Sequence, residues 1–178
     1  YKALSPTRRA LRDLALVELL YASGLRVSEA LAAQWGALDL RAGYLRLRGK
    51  GGRERVVPVG ETALAALKRY RDALGNPPRG EPVFCSRPGV PLKRNRVNRL
   101  LAELAAGAGL DCLPGPHRLR HSFATHLLAG GASVRLVNEL LGHSRLTETQ
   151  RYTRVEVSRL VEAHRRAHPR AIVPAGGG

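Results

Sequence analysis

Residues 44–59 read YLRLRGKGGRERVVPV, and here the periodicity that runs through the rest of the chain changes. YLRLRG and ERVVPV alternate or carry β-branched residues, and the two halves are separated by KGG. The stretch therefore predicts a β-hairpin with a Gly-rich tip, within a region of strand character from Ala37 to Val59. It makes the fold class α+β, mainly helical with a small antiparallel sheet. Lys50 sits on the turn. The chain has 26 arginines and only 4 lysines, yet this lysine stands among Arg46, Arg48, Arg53 and Arg55. A guanidinium keeps its proton in any protein, whereas an ammonium can release one. The tip of the hairpin thus raises the question of whether the chemistry needs an acid there.

Working outward, helices surround the hairpin. Ser5-Pro6 supplies an N-cap and a proline at the first helical position, and Leu11, Leu14, Ala15 and Leu19 follow at helical spacing as far as Gly24. A short helix begins at Ser28-Glu29 and runs through Gln34, so Arg26 lies just before a helix N-terminus, an end that favours anions. Glu61–Leu74 reads as helix, PVFCS (82–86) as a short strand or extended piece, and LKRNRVNRLLAELAAGAG (92–109) as a helix with Val97, Leu100, Leu101 and Leu104 on its apolar face. His117–Ala129 and Ser133–Leu141 are helices stopped by Gly130-Gly131 and Gly142. Thr147–Thr153 is a short element. Val157, Leu160, Val161 and His164 stripe a final helix, and this stripe must be buried somewhere.

Composition limits what the protein can do. A chain of 178 residues, 44% hydrophobic, can bury a core of its own, and no apolar run approaches the ~20 residues that span a bilayer. The net charge of +16 is spread along the sequence, which predicts a polyanionic partner, most simply nucleic acid. A basic surface tuned only for solubility and a ribosomal type of RNA binding are the competing readings. Cys85 and Cys112 are far apart and lack CxxC spacing, which fits a reducing cytoplasm. With no Met and no signal peptide, the chain reads as a cytoplasmic fragment: residues 1–171 form one domain and 172–178 a flexible tail.

Only 14 carboxylates are present and none form the close cluster that holds two metal ions; no phosphate-binding GxxxxGK[ST] loop occurs either. Any chemistry on a phosphodiester would have to draw its electrostatic stabilisation from cationic side chains, with a nucleophile and a proton donor beside them. HRLRHSFATHLL (117–128) sets His117 and Arg120 at i and i+3 on one helix face. LGHSRLTETQRYTRV (141–155) places His143 after a helix stop and Tyr152 nine residues on. His117 and His121, at i and i+4, imitate a metal pair, but without the zincin glutamate or an obvious third ligand.

SGLRVSEA, GKGGRER, HRLRHSFATHLL and LLGHSRLTETQRYT, in that order and spacing, closely resemble the catalytic domain of the tyrosine recombinases, especially the bacterial Xer site-specific recombinases. The resemblance runs from about Leu4 to Ala171. It implies that Tyr152 attacks a DNA phosphate to give a 3′-phosphotyrosine and a free 5′-hydroxyl. Arg26 and Arg120 would clamp the non-bridging oxygens, His143 would hydrogen-bond the phosphate, His117 would relay the tyrosine proton, and Lys50 would protonate the leaving oxygen. No metal, ATP or other cofactor is implied. Glu29 reads as a residue that orients Arg26.

The resemblance also marks the 92–109 helix for a DNA groove, making Lys93, Arg94, Arg96 and Asn98 candidate contacts along with Arg53 on the hairpin; a solvated charged face is the competing reading. The implied partners are double-stranded DNA, a ring of four subunits formed with itself or a paired recombinase, and a septal DNA translocase acting in chromosome dimer resolution. Two differences from the family stand out. The N-terminal DNA-binding domain of full-length relatives is missing, and Arg154 stands where Xer proteins often show histidine. In relatives the last helix is lent to a neighbouring subunit; alone, it would fold back on its own domain. A phage or transposon integrase, and a DNA-binding module with a silent site, are the rival functions.

Overall fold

The computed structural model describes residues 4–48, 54–110, 115–142 and 152–171. Helix α1 (Pro6–Ser23) starts where Ser5 accepts from the Arg8 N–H at 3.3 Å and ends at Gly24, whose left-handed φ of 59° closes the last turn. Side chains at Gly24 are excluded twice over, because a Cβ there would also collide with the Phe123 ring. Helix α2 (Val27–Ala32) follows at once, and a 3-10 turn, Trp35–Ala37, leads into the sheet.

The expected hairpin is present as β2 (Tyr44–Arg48) and β3 (Glu54–Pro58), with Leu47 opposite Arg55 and Leu45 opposite Val57. A two-residue strand, β1 (Leu38–Asp39), completes the antiparallel order β1-β2-β3. Cross-strand partners share a face and neighbours along a strand alternate. Leu45, Leu47, Val57 and Arg55 therefore project to one side, and Tyr44 and Arg46 to the other.

Helix α3 (Glu61–Leu74) packs along α1, and their contact, with the sheet, Trp35, Phe84 and α4 (Arg94–Gly107), forms the larger core. PVFCS carries a strand at its end: Val83 and Phe84 are buried in the core, and Cys85 opens β4 (Cys85–Arg87), which pairs with β5 (Val90–Pro91). Elements this short carry too few residues to show a period. Buried Arg12 of α1 holds β4 in place by donating from Nη1 to the Cys85 carbonyl at 2.9 Å, and Asp13 at 2.6 Å neutralises it.

The second core is helical. Helices α5 (Pro116–Ala129), α6 (Val134–Leu141) and α7 (Arg154–Ala167) bury Phe123, Leu127, Val137, Leu140, Leu141, Leu160 and Ala167 together. Helix α7 folds back on its own domain, touching α5 and β3. Its end is seated by Glu61 N–H donating to the Ala171 carbonyl, and Gly130 has no room for a Cβ against Ala167. The expected element at 147–153 lies outside the described residues up to Arg151, as do Cys112 and the 172–178 tail.

Two histidines anchor α7 in the interior. His164 is hydrogen-bonded through Nε2 to the Ala22 carbonyl at 2.7 Å, and its ring stacks on His168, whose Nδ1 accepts from the Arg170 N–H. Burial pushes His164 down to about 4 and His168, with His164 beside it, down to about 3. Both imidazoles are neutral in the fold but would charge near their usual 6.5 once unfolded. Protons therefore bind the unfolded state more tightly, so stability is full above pH 6.5 and falls as the pH drops toward 4. We expect acid titration followed by circular dichroism to show His164→Gln flattening this loss; an unchanged acid midpoint in that variant would refute the assignment.

Candidate active site

Arg120 occupies the joint between the two cores. Its Nη1 donates to the Gly24 carbonyl at 2.6 Å and its Nη2 to the Leu141 carbonyl at 2.7 Å, so one half-buried fork ties the end of α1 to the end of α6. Burial, with the like charge of Arg26 next, lowers its pKa to about 10; Glu29 opposes the shift and Arg55 adds to it. The guanidinium still carries its charge at neutral pH, in a cluster of cations around one carboxylate.

That carboxylate is Glu29. Its Oε2 accepts from the Arg26 N–H at 2.8 Å and from Arg55 Nη2 at 3.0 Å, while Oε1 meets Arg26 Nη1 at 3.4 Å. Glu29 thus orients Arg26, as expected, and also fastens strand β3 to helix α2. Arg26 itself is half exposed and turned toward solvent at the helix N-terminus, where the backbone field adds to its charge.

Arg55 was not singled out by sequence, and its place is the chief addition. It lies on the sheet face shared with Leu47, its guanidinium abuts Gly142, and a Cβ at Gly142 would strike it. Gly142 also holds a left-handed φ of 70° at the end of α6. The available signal was the strand alternation, which points Arg55 to the opposite face from Arg46.

Tyr152 is half-buried against the second core, just before the Thr153 cap of α7. Burial first, then the Glu139 carboxylate with its hydrogen bond to the phenol, hold its pKa above the usual tyrosine value, while Arg55 pulls the other way. The phenol is therefore protonated in this arrangement. Glu139, one turn before the end of α6, is a second residue that sequence reading missed. Changing Glu139→Gln keeps a hydrogen-bond acceptor and deletes the charge, which lets the Tyr152 pKa fall. For a reaction that needs the phenolate, the alkaline rise of the pH–rate profile is expected to move to lower pH in this variant. An unmoved profile would count against the contact.

The structure thus brings Arg26, Arg120 and Tyr152 around Glu29 and Arg55. His117 sits exposed in the first turn of α5, one turn ahead of Arg120 on the same face, with no hydrogen bond among the described residues. Lys50, Arg53 and His143 lie outside the described residues. Of the helix proposed for a groove, Lys93, Arg94 and Asn98 are exposed at the start of α4. Arg96 is engaged, donating to Asp13 at 3.1 Å and Glu103 at 3.1 Å, so it could reach a phosphate only by giving up those bonds. No third metal-ligating side chain joins His117 and His121 among the described residues. No helix among them is long and apolar enough to cross a membrane.

Half-buried Arg120 and Arg55 and half-exposed Arg26 thus converge at the N-terminus of α2, with the Tyr152 phenol in their field. The chain belongs to the phage integrase family, whose pattern matches residues 1–159. It is 44% identical over 168 residues to a tyrosine recombinase XerC of Pelobacter propionicus, covering 92% of this chain and 54% of that protein. It is 47% identical over 166 residues to a tyrosine recombinase XerD of Mycobacterium tuberculosis, covering 90% and 53%. The chain therefore spans about half the length of these curated relatives. Among solved structures, a XerA recombinase superposes with a TM-score of 0.70 at 26% identity over 93% of this chain and 64% of that one. An integrase from mycobacterium phage Brujita gives 0.70 at 28% identity over 98% and 61%.

Proposed function

We propose that this chain is the strand-cleaving and rejoining domain of a tyrosine site-specific recombinase of the Xer type. The observation that carries the reading is the Arg120 fork, which holds the Arg26 joint and the α6 end that leads to His143 and Tyr152 against one another. Binding a phosphate between Arg26 and Arg120 would place two planar donors on its non-bridging oxygens, where charge grows in the transition state.

In the reaction, the Tyr152 oxygen attacks phosphorus and the bond to the 5′-oxygen breaks. The phenol proton leaves through His117, and the departing oxygen takes a proton from Lys50 to become a free 5′-hydroxyl. His143 adds a hydrogen bond to the phosphate. The phosphotyrosine retains the bond energy, so attack by another 5′-hydroxyl reverses the steps and no nucleotide cofactor or metal enters. Arg55, drawn off Glu29, would stabilise the phenolate that Glu139 opposes. Lys93, Arg94, Asn98 and Arg53 contact DNA in this reading, and Arg96 does so only on leaving its carboxylates.

The 43–47% identities to XerC and XerD proteins favour chromosome dimer resolution in the cytoplasm, with a tetramer on double-stranded DNA and a septal translocase as partners. A structural neighbour, a XerH site-specific recombinase, is bound to a palindromic difH substrate, which supports a recombination site as the substrate class here. The test is a pool of nicked suicide duplexes with randomised half-sites, incubated in chelator. An SDS-resistant protein–DNA adduct is expected. Salt-sensitive binding without any adduct, also after an N-terminal DNA-binding domain from a relative is fused on, would favour a silent DNA-binding module.

A further inference from the structure

Across the sheet from Arg55 lies a cleft of about 550 Å³, walled by the 3-10 turn, the β1–β2 connection and the loop after α3. Four arginines line it: Arg41, Arg46, Arg71 and Arg79. The single acid in the lining, Asp39, is absorbed locally, its Oδ1 accepting from the Arg41 N–H at 3.0 Å and the Ala42 N–H at 2.8 Å. Arg71 has Asp72 at 3.3 Å, on an exposed surface. Arg41, Arg46 and Arg79 have no carboxylate partner among the described residues. Arg46 is instead held over the Tyr44 ring, 5.3 Å from its centroid, with Nη2 on the phenol oxygen at 3.3 Å.

Two further observations point to a ligand. The indole N–H of Trp35, a side chain 7% exposed that lines the same cleft, is buried without an acceptor among the described residues. A buried donor left unmade is costly, so a shift of the cleft wall that brought the indole N–H to a ligand's acceptor would be favoured. The walls are also pre-shaped. Gly36 N–H donates to the Arg79 carbonyl at 2.6 Å, Trp35 N–H donates to the Glu81 carbonyl at 3.1 Å, and Gln34 bridges Pro82.

We infer that this cleft is a second anion site, separate from the tyrosine centre, which binds a phosphate-bearing ligand through Arg41, Arg46 and Arg79. The volume lies within the range of small-molecule sites, about 300–1,000 Å³. Phosphate suits it better than an acidic peptide. A phosphate group gathers close to two charges and three acceptor oxygens at one centre, whereas carboxylates along an extended chain are spread over ~3.3–3.6 Å per residue and need a longer groove. Planar guanidinium forks match the phosphate oxygens two at a time. The ligand is either a free oligophosphate or a phosphate run of a DNA backbone lying outside the cleavage site.

Trp35 is the only tryptophan, so its fluorescence reports on this cleft. The whole chain is titrated at low salt with inorganic tripolyphosphate and, separately, with polyglutamate and with a plain blunt duplex. A saturable Trp35 response to tripolyphosphate is expected. It should weaken tenfold or more in Arg41→Gln/Arg79→Gln, and measurably in Arg79→Gln alone, with unchanged melting temperature. A duplex that displaces tripolyphosphate, and whose log–log salt slope falls by about 2 in the double variant, assigns the ligand to the DNA backbone. A duplex that leaves the tripolyphosphate response intact assigns it to a free oligophosphate. No saturable response, an affinity indifferent to the substitutions, or tighter binding of polyglutamate would each overturn the site. None of these readouts depends on whether the chain cleaves DNA.

Discussion

Tyr152→Phe is expected to fold and bind DNA like the parent protein and to form no SDS-stable adduct at all. Removing one oxygen from a half-buried ring leaves its packing against the second core in place, and the lost contact is the hydrogen bond between the phenol and Glu139. Stability should therefore change by no more than about 1 kcal/mol. The adduct is another matter, because without the phenol oxygen no atom at this position can attack phosphorus. Thermal melting and gel-shift titration measure the first part, and denaturing gels of nicked duplex measure the second. A phenylalanine variant that still yields adduct would move the nucleophile to another residue.

Substitution of Arg120 should act on both structure and rate, and two variants separate the effects. Arg120→Ala leaves the Gly24 and Leu141 carbonyls without the donors they have at 2.6 and 2.7 Å. The loss is on the order of 2–4 kcal/mol for two half-buried acceptors, or roughly 5–10 °C in melting temperature for a chain of this size. Arg120→Lys keeps a charge and much of the volume but cannot span two carbonyls or present a planar pair of donors. It should melt closer to the parent, and the rate of adduct formation should still drop by about 10²–10³-fold, the usual consequence of losing a donor to a developing oxyanion. Lysine at full rate would show that Arg120 is only a structural tie.

Much of the site was legible because its parts are marked locally. Ser5-Pro6 caps α1, Gly24 and Gly142 take the left-handed geometry that ends α1 and α6, and Gly130-Gly131 stops α5, so helix ends were read within a residue or two. The placement of Arg26 at a helix start and of His117 and Arg120 on one helix face follows from spacing alone. Glu29 was read as an orienting residue for Arg26, and this holds, yet its bond to Arg55, 26 residues away, was not foreseen. The β4–β5 pair went unread because two- and three-residue strands have no period to detect.

Periodicity, caps and turn residues are properties of neighbours in the chain, so the sequence by itself determined the hairpin, the order of the helices and which residue types could carry phosphate chemistry. Tertiary structure alone decided that Arg120 reaches Gly24 across 96 residues, that Arg55 and Glu139 pull the Tyr152 phenol in opposite directions, and that Arg46 faces a separate cleft. Each of these depends on which surfaces two cores press together. Charge–charge effects fall with distance through space, a quantity that separation along the chain does not encode.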